Sequence, residues 1–178
     1  LRAAGLASVF LQFDGISDGP YEALRARPLL DLKLRTLQRC AEAGLAVVLV
    51  PTLAAGVNDH EVGGLVRLAA AWAGVVRGLH FQPISYFGRY RPGERRRLTP
   101  PEVLRELEAQ TGGALRASDF APSCCEHVRC SFRARYWVRE GGRLELVRSA
   151  APSCCGGAAS EPARRAVAAT ARQWASVR

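Results

Sequence analysis

Two kinds of side chain in this 178-residue sequence have the types and spacing to do chemistry. The first are hydrogen-bonding groups that recur just after apolar runs: Gln12 and Asp14 in "LQFDG", Asn58, Asp59 and His60 in "PTLAAGVNDHE", and Gln82, Ser85 and Arg89 in "FQPISYFGR". Amides, hydroxyls and a guanidinium gathered in one place suit recognition of a small polar ligand, because an amide both donates and accepts. The second are soft donors. Cys124, Cys125 and Cys130, with His127 among them, fall within seven residues, and Cys154 and Cys155 follow later. Thiolates with one imidazole suit zinc or an iron–sulfur centre.

The cysteine spacing narrows this little. Cys124 and Cys125 are adjacent, as are Cys154 and Cys155. Neighbouring side chains seldom ligate one ion, so one of each pair is the expected ligand. The competing readings are a dithiol–disulfide relay and a set of small buried apolar side chains. Cys40, alone on a helical face, reads as core.

The polar groups need a scaffold that brings them together, and the apolar patterning supplies one. Residues 7–13, "ASVFLQF", read as a short buried strand ending in the turn pair Asp14-Gly15. A helix of about fifteen residues begins after Pro28 and stops at Gly44. "LAVVLVPTL" is a second strand, apolar throughout as when both faces are covered. Residues 59–74 are helical with Val62, Leu65, Val66 and Leu68 inward, and "VVRGLHFQPIS" is a third strand. Strand, helix, strand, helix, strand is the order of a parallel α/β unit. Right-handed crossovers then set all strand C-termini on one rim, where ligands bind in such sheets and barrels. Gln12, Asp14, Asn58, Asp59, His60, Gln82, Ser85 and Arg89 all fall on that rim.

Beyond it, "TPPEVLRELEAQTG" is a helix with a capping box from Thr99 and Glu102, prolines in its first turn and Gly112 as its stop. A hairpin turning at Gly141-Gly142 follows the first cysteine cluster. The final "SEPARRAVAATARQWASVR" reads as a capped terminal helix.

Composition sets bounds. The hydrophobic share of 48% fits a soluble globular domain, no run of about twenty apolar residues could span a membrane, and no secretory signal pattern opens the chain. A cytoplasmic location is expected. The net charge of +9 suggests an acidic partner, but of the 25 basic residues only Lys33 is lysine, so the excess reads as arginine-rich compositional bias. The densest run, Arg89 to Arg97, is broken by Pro and Gly and reads as a solvated loop. The sequence holds no methionine and starts almost on a strand, which reads as a fragment whose N-terminal part is missing.

The segments "LQFDGISDGPYEALRARPLL", "GLAVVLVPTLAAGVNDHE" and "GLHFQPISYFGR" resemble the second half of a radical S-adenosylmethionine (radical SAM) enzyme barrel, over roughly residues 7 to 132. The closer resemblance is to the branch of pterin dimethyltransferase-like and tetraether lipid synthase-like archaeal proteins, where a Pro-Ser-Cys segment and a Cys-Ser-Phe also lie past the barrel. The resemblance implies the second half of a partial (β/α) TIM-like barrel over residues 1–98, followed by a Cys-containing extension over 99–178. It implies S-adenosylmethionine and a [4Fe-4S] cluster that together generate a 5′-deoxyadenosyl radical for C–H activation, methylation or C–C bond formation. The expected partners are a small-molecule, lipid or pterin-like substrate and a reductant such as ferredoxin or flavodoxin. Matched to family positions, the cofactor-binding residues are Gln12, Asp14, Gly15, Arg25, Asn58, Gln82 and Ser85. The family's Cys-x-x-x-Cys-x-x-Cys loop is not in this sequence, so the main cluster ligands are expected outside it and the isolated fragment is expected to be inactive. Cys124, Cys125, Cys130, Cys154 and Cys155 then stand as metal ligands of an auxiliary iron–sulfur cluster, or as a thiol relay.

Plainer readings exist for each position. Asp14-Gly15 is also ordinary turn chemistry, Arg25 a helix-surface ion pair, Asn58 a residue favoured in turns, and His60 part of a first helical turn. A different class altogether is a non-catalytic Cys-rich metal-binding or basic nucleic-acid-binding module. Aromatic platforms at RNA-binding spacing and paired Cys-x-x-Cys knuckles are both missing, so nucleic acid is not an expected partner. No Gly-rich phosphate loop supports an aldolase-like barrel.

Overall fold

The computed structural model describes residues 2–86, 96–122 and 131–147. β1 (Ser8–Gln12) leads through α1 (Gly19–Arg25) and α2 (Leu30–Glu42) to β2 (Ala46–Val50). β3 (Thr52–Leu53) follows at once, then a 3-10 turn at Asp59–Glu61, α3 (Val62–Ala71), β4 (Val76–Leu79), β5 (Gln82–Pro83) and α4 (Pro100–Gln110). β1, β2 and β4 form one parallel sheet in that order, with Ser8 opposite Ala46 and Gln12 opposite Val50. β3 and β5 pair in parallel, Thr52 opposite Gln82. The α/β reading with parallel strands therefore stands.

The second and third apolar runs are each broken in two, and Pro51 explains the first break. Proline has no N–H to give a ladder. Its carbonyl still accepts from Gln82 N at 2.9 Å, so the pairing resumes beyond it and Ile84 N reaches Leu53 O at 2.9 Å.

One core cluster joins Leu11 and Phe13 of the first strand, Val47 and Leu49 of the second and Val76 of β4 to Leu37 and Cys40 of α2 and Leu65 of α3. These strand positions alternate, so both helices cover the same sheet face. A second cluster sets Leu53, Val62 and Val66 against Leu98, Val103, Leu107 and Leu115, with Tyr136 and Leu144 packed on it. It binds residues on both sides of position 98 into one interior.

α4 starts as its sequence demands. The Thr99 backbone N–H and hydroxyl both donate to Glu102 at 2.8 Å, and Pro100 opens the helix. β6 (Ala121–Pro122) and β7 (Phe132–Arg133) pair antiparallel, as do β8 (Tyr136–Val138) and β9 (Leu144–Leu146). The latter hairpin turns through Gly141 and Gly142, at φ of 70° and 76°, a region that glycine enters without steric cost.

Two elements depart from expectation. Helix α1 precedes Pro28, where the sequence suggested no helix; it is only two turns long and ends in Ala26 at φ 60°. The expected helix over 59–74 splits into the 3-10 turn and α3, and ends at Ala71. Cys124, Cys125, Cys130, Cys154, Cys155, Arg89 and the terminal segment 160–178 lie outside the described residues. Among the described residues no helix is long and apolar enough to cross a membrane.

Candidate functional site

The loops that leave β1, β2 and β4 all rise from the same end of the parallel sheet, and polar groups from the first two meet around Asp14. Asp14 is fully buried. Its Oδ2 accepts from Arg25 Nε at 3.0 Å, and its Oδ1 accepts from the Thr52 backbone N–H at 3.0 Å and from Arg25 Nη2 at 3.4 Å. The same Nη2 donates to Thr52 Oγ1 at 3.1 Å. Arg25 thus lies across two strand ends with a third of its side chain (33%) still exposed. The Gln12 amide turns its oxygen to this guanidinium, accepting from Nε at 3.0 Å and from Nη2, since the opposite orientation would face donors with donors.

Asn58 frames the site from below. Its Nδ2 donates to the Asp14 carbonyl at 2.7 Å and to the Thr52 carbonyl at 2.8 Å, while its Oδ1 accepts from Ala54 N at 2.9 Å. Both protons and the oxygen of this buried amide are used on backbone, which ties the loop after β1 to the loop after β3.

Glu61 does the same for the next residues along. Although buried, it accepts from the Ile16 N–H at 2.6 Å and from the Ser17 hydroxyl. This contact explains Gly15: a Cβ there would stand 2.4 Å from Glu61 Oε2 and 2.6 Å from Pro20 Cγ. Tyr21, also fully buried, donates to the Gly15 carbonyl at 3.0 Å and meets Phe13 edge-on at 6.3 Å. Burial pushes its phenol well above the ordinary range. Asp18 reaches forward, its Oδ1 accepting from Leu29 N and Leu30 N at 2.9 Å, and so caps α2, whose own Leu29 cannot.

Lys33, in the first turn of α2, has its amine pushed below the ordinary value by burial; Asp14 opposes that shift, and the Arg25 and Arg27 guanidinia reinforce it. Two buried carboxylates, Asp14 and Glu61, thus sit behind this rim with their oxygens already engaged.

The structure brings Gln12, Asp14, Gly15, Arg25 and Asn58 into direct contact or one bond apart. Gln82 is exposed opposite Thr52 in the β3–β5 ladder, and Ser85 is exposed just beyond Ile84. His60 is 68% exposed, with Nδ1 at 3.9 Å from Asp59 and Nε2 at 4.0 Å from Glu61, away from the Arg25–Asp14 pair's bonds. Thr52, Glu61, Tyr21 and Lys33 were not singled out by sequence. A glutamate in a first helical turn reads as a complement to the helix dipole, and only its burial in the fold reveals it as a clamp.

Among the described residues no group of three or more His, Cys, Asp or Glu side chains is placed to hold a metal ion. Cys40 is buried between α2 and β2, as its isolated position suggests, and burial raises its thiol.

Over 125 residues the chain is 46% identical to the 7,8-dihydro-6-hydroxymethylpterin dimethyltransferase of Methanocaldococcus jannaschii, a match covering 68% of this chain and 25% of that protein. Over 69 residues it is 36% identical to the probable GTP 3′,8-cyclase of Aeropyrum pernix, covering 39% of this chain and 19% of that protein. The chain thus spans a quarter or less of the length of these curated relatives. No family model matches it.

Proposed function

Because the chain belongs to the radical SAM enzymes, we propose that its parallel strands are the second half of a partial (β/α) TIM-like barrel and that their C-terminal rim holds S-adenosylmethionine. The observation that carries this is the Arg25–Asp14–Thr52 arrangement, with Gln12 on one side and Gln82 in register on the other. The two helices on one sheet face support the barrel, since a doubly wound sheet would place helices on both.

The residues present fit a charged nucleoside. Gln12, Gln82 and Ser85 offer donors and acceptors to ribose and base edges, and Arg25 offers a cation to a carboxylate. Asp14, Gly15 and Asn58 form the frame: Asp14 fixes the guanidinium, Gly15 lets the loop lie against Glu61, and Asn58 sets the separation of the two loops. Pre-set in this way, the contacts need little rearrangement when the ligand arrives. S-adenosylmethionine would supply a carbon radical for C–H activation only on taking up one electron and releasing methionine, and the part of these residues would be to orient it and exclude water.

The described residues do not fit the [4Fe-4S] cluster, because the only cysteine among them is Cys40 in the core. The candidate auxiliary set Cys124, Cys125, Cys130, Cys154 and Cys155 lies outside the described residues. The name of the first relative favours a pterin-like small molecule as substrate. The reading places the enzyme in the cytoplasm with ferredoxin or flavodoxin as reductant.

Binding of S-adenosylmethionine to the full-length protein tests the reading. Gln12→Ala and Gln82→Ala each remove one ligand contact and should weaken affinity about three- to tenfold, the usual worth of a hydrogen bond. Affinities equal to wild type in both variants would refute it.

A further inference from the structure

We infer that Gln110, at the end of α4 and outside the parallel sheet, is a positioning residue for the ligand rim: it holds the turn that carries Glu61, and Glu61 holds the loop after Asp14. The inference rests on the reading of that rim as the S-adenosylmethionine site.

The argument begins with an unmet need. A helix start leaves backbone N–H groups without intrahelical partners, and residues just before it normally supply side-chain acceptors. Here the two best candidates are committed elsewhere. Asn58 points its amide at Asp14 and Thr52, and Glu61 points its carboxylate at Ile16 and Ser17. Neither Asn58 nor Glu61 caps the helix that follows it. Gln110 fills the gap from α4. Its Oε1 accepts from Gly63 N at 3.0 Å, and its Nε2 donates to the Asp59 carbonyl at 2.7 Å.

The packing at this joint is close. A Cβ at Gly63 would stand 2.6 Å from Gln110 Cβ and 2.7 Å from its carbonyl oxygen, so the helix end and the turn meet backbone to backbone. Arg67 Nη1 adds a bond to the Gln110 carbonyl at 3.1 Å. Gly64 beside it is approached by Ile16, whose Cδ1 lies 2.4 Å from where a Cβ would be. The path from Gln110 to the rim is therefore short: Gln110 to Asp59 and Gly63, Glu61 between them, Glu61 to Ile16 and Ser17, and then Gly15 and Asp14.

Hydrogen exchange and S-adenosylmethionine affinity, both measured on full-length protein, test this. Gln110→Ala should speed exchange of the Ile16 and Gly63 amides about tenfold and weaken S-adenosylmethionine binding several-fold. Gln110→Glu keeps the acceptor for Gly63 but sets a carboxylate against the Asp59 carbonyl and the Glu106 carboxylate, which the amide now bonds at 2.7 and 3.0 Å, and should speed Ile16 exchange at least as much as Gln110→Ala. Thr99→Ala destabilises α4 at its other end; it should lower the melting temperature without changing exchange at Ile16 or affinity. Faster exchange at Gly63 alone, with Ile16 unchanged, would overturn the inference, as would equal effects of Thr99→Ala and Gln110→Ala at Ile16. If wild-type protein binds no S-adenosylmethionine, the reading of the rim fails, while Ile16 exchange still decides the role of Gln110.

Discussion

The Asn58 side-chain amide donates to the backbone carbonyl of Asp14 at 2.7 Å, joining two residues 44 positions apart. With its bonds to Thr52 and Ala54 this amide fixes how the loops after two neighbouring strands lie against one another. An Arg25 guanidinium that spans both loops depends on that separation.

Asn58→Ala should therefore be costly. Three backbone groups in a buried setting lose their partner, and each costs about 1–3 kcal/mol when left unsatisfied. A total of at least about 3 kcal/mol is expected in urea denaturation. Asn58→Asp keeps the acceptor for Ala54 but loses both donors, so at neutral pH it should be at least as destabilising. A loss below about 1 kcal/mol in both variants would show that the amide does not hold the loops.

Gly15 and Glu61 should be energetically coupled. A Cβ at position 15 meets the Glu61 carboxylate, and overpacking of this kind costs about 1–3 kcal/mol. Glu61→Ala alone leaves the Ile16 N–H without its acceptor. In the double variant the new methyl no longer meets the carboxylate, so the combined loss should fall short of the sum by about 1 kcal/mol. Strict additivity would contradict the contact.

Much of this arrangement was legible from residues alone, for reasons that can be named. Strand and helix order followed from period, Thr99 and Glu102 announced their capping box three residues apart, and the paired glycines at 141 and 142 marked the hairpin turn. Gln12, Asp14 and Gln82 fell on one rim because parallel strands joined by helices must share an end. Asn58 was read for its place in the turn, but its use as a staple depends on the Asp14 and Thr52 carbonyls coming within reach, which no local pattern encodes. Glu61 and Gln110 were hidden for the same reason: their partners lie 45 and 47 residues away. Helix α1 escaped notice because seven residues are too few for a periodic signal.

The capping box gives a pH dependence. The Glu102 carboxyl is held below its ordinary value of 4.5, first by the Thr99 backbone N–H, then by the Thr99 hydroxyl, with the positive charge of Arg96 and Arg105 adding to it. A depressed carboxyl contributes stability above its unfolded value and loses it as pH falls through the lower folded one. Glu102→Gln keeps a neutral acceptor and should be less stable than wild type at neutral pH, the difference closing as pH drops below 4.5. A difference that stays constant across that range would assign the effect to something other than the charged carboxylate.

The most direct test of the ligand rim is a map of backbone amide shifts in isotope-labelled full-length protein titrated with S-adenosylmethionine. The amides of residues 12–15, 52–53, 82, 84 and 85 should move together and saturate at one concentration. Shifts confined to residues away from these three strand ends, or an unmoved spectrum at saturating ligand, would contradict the placement of the cofactor there.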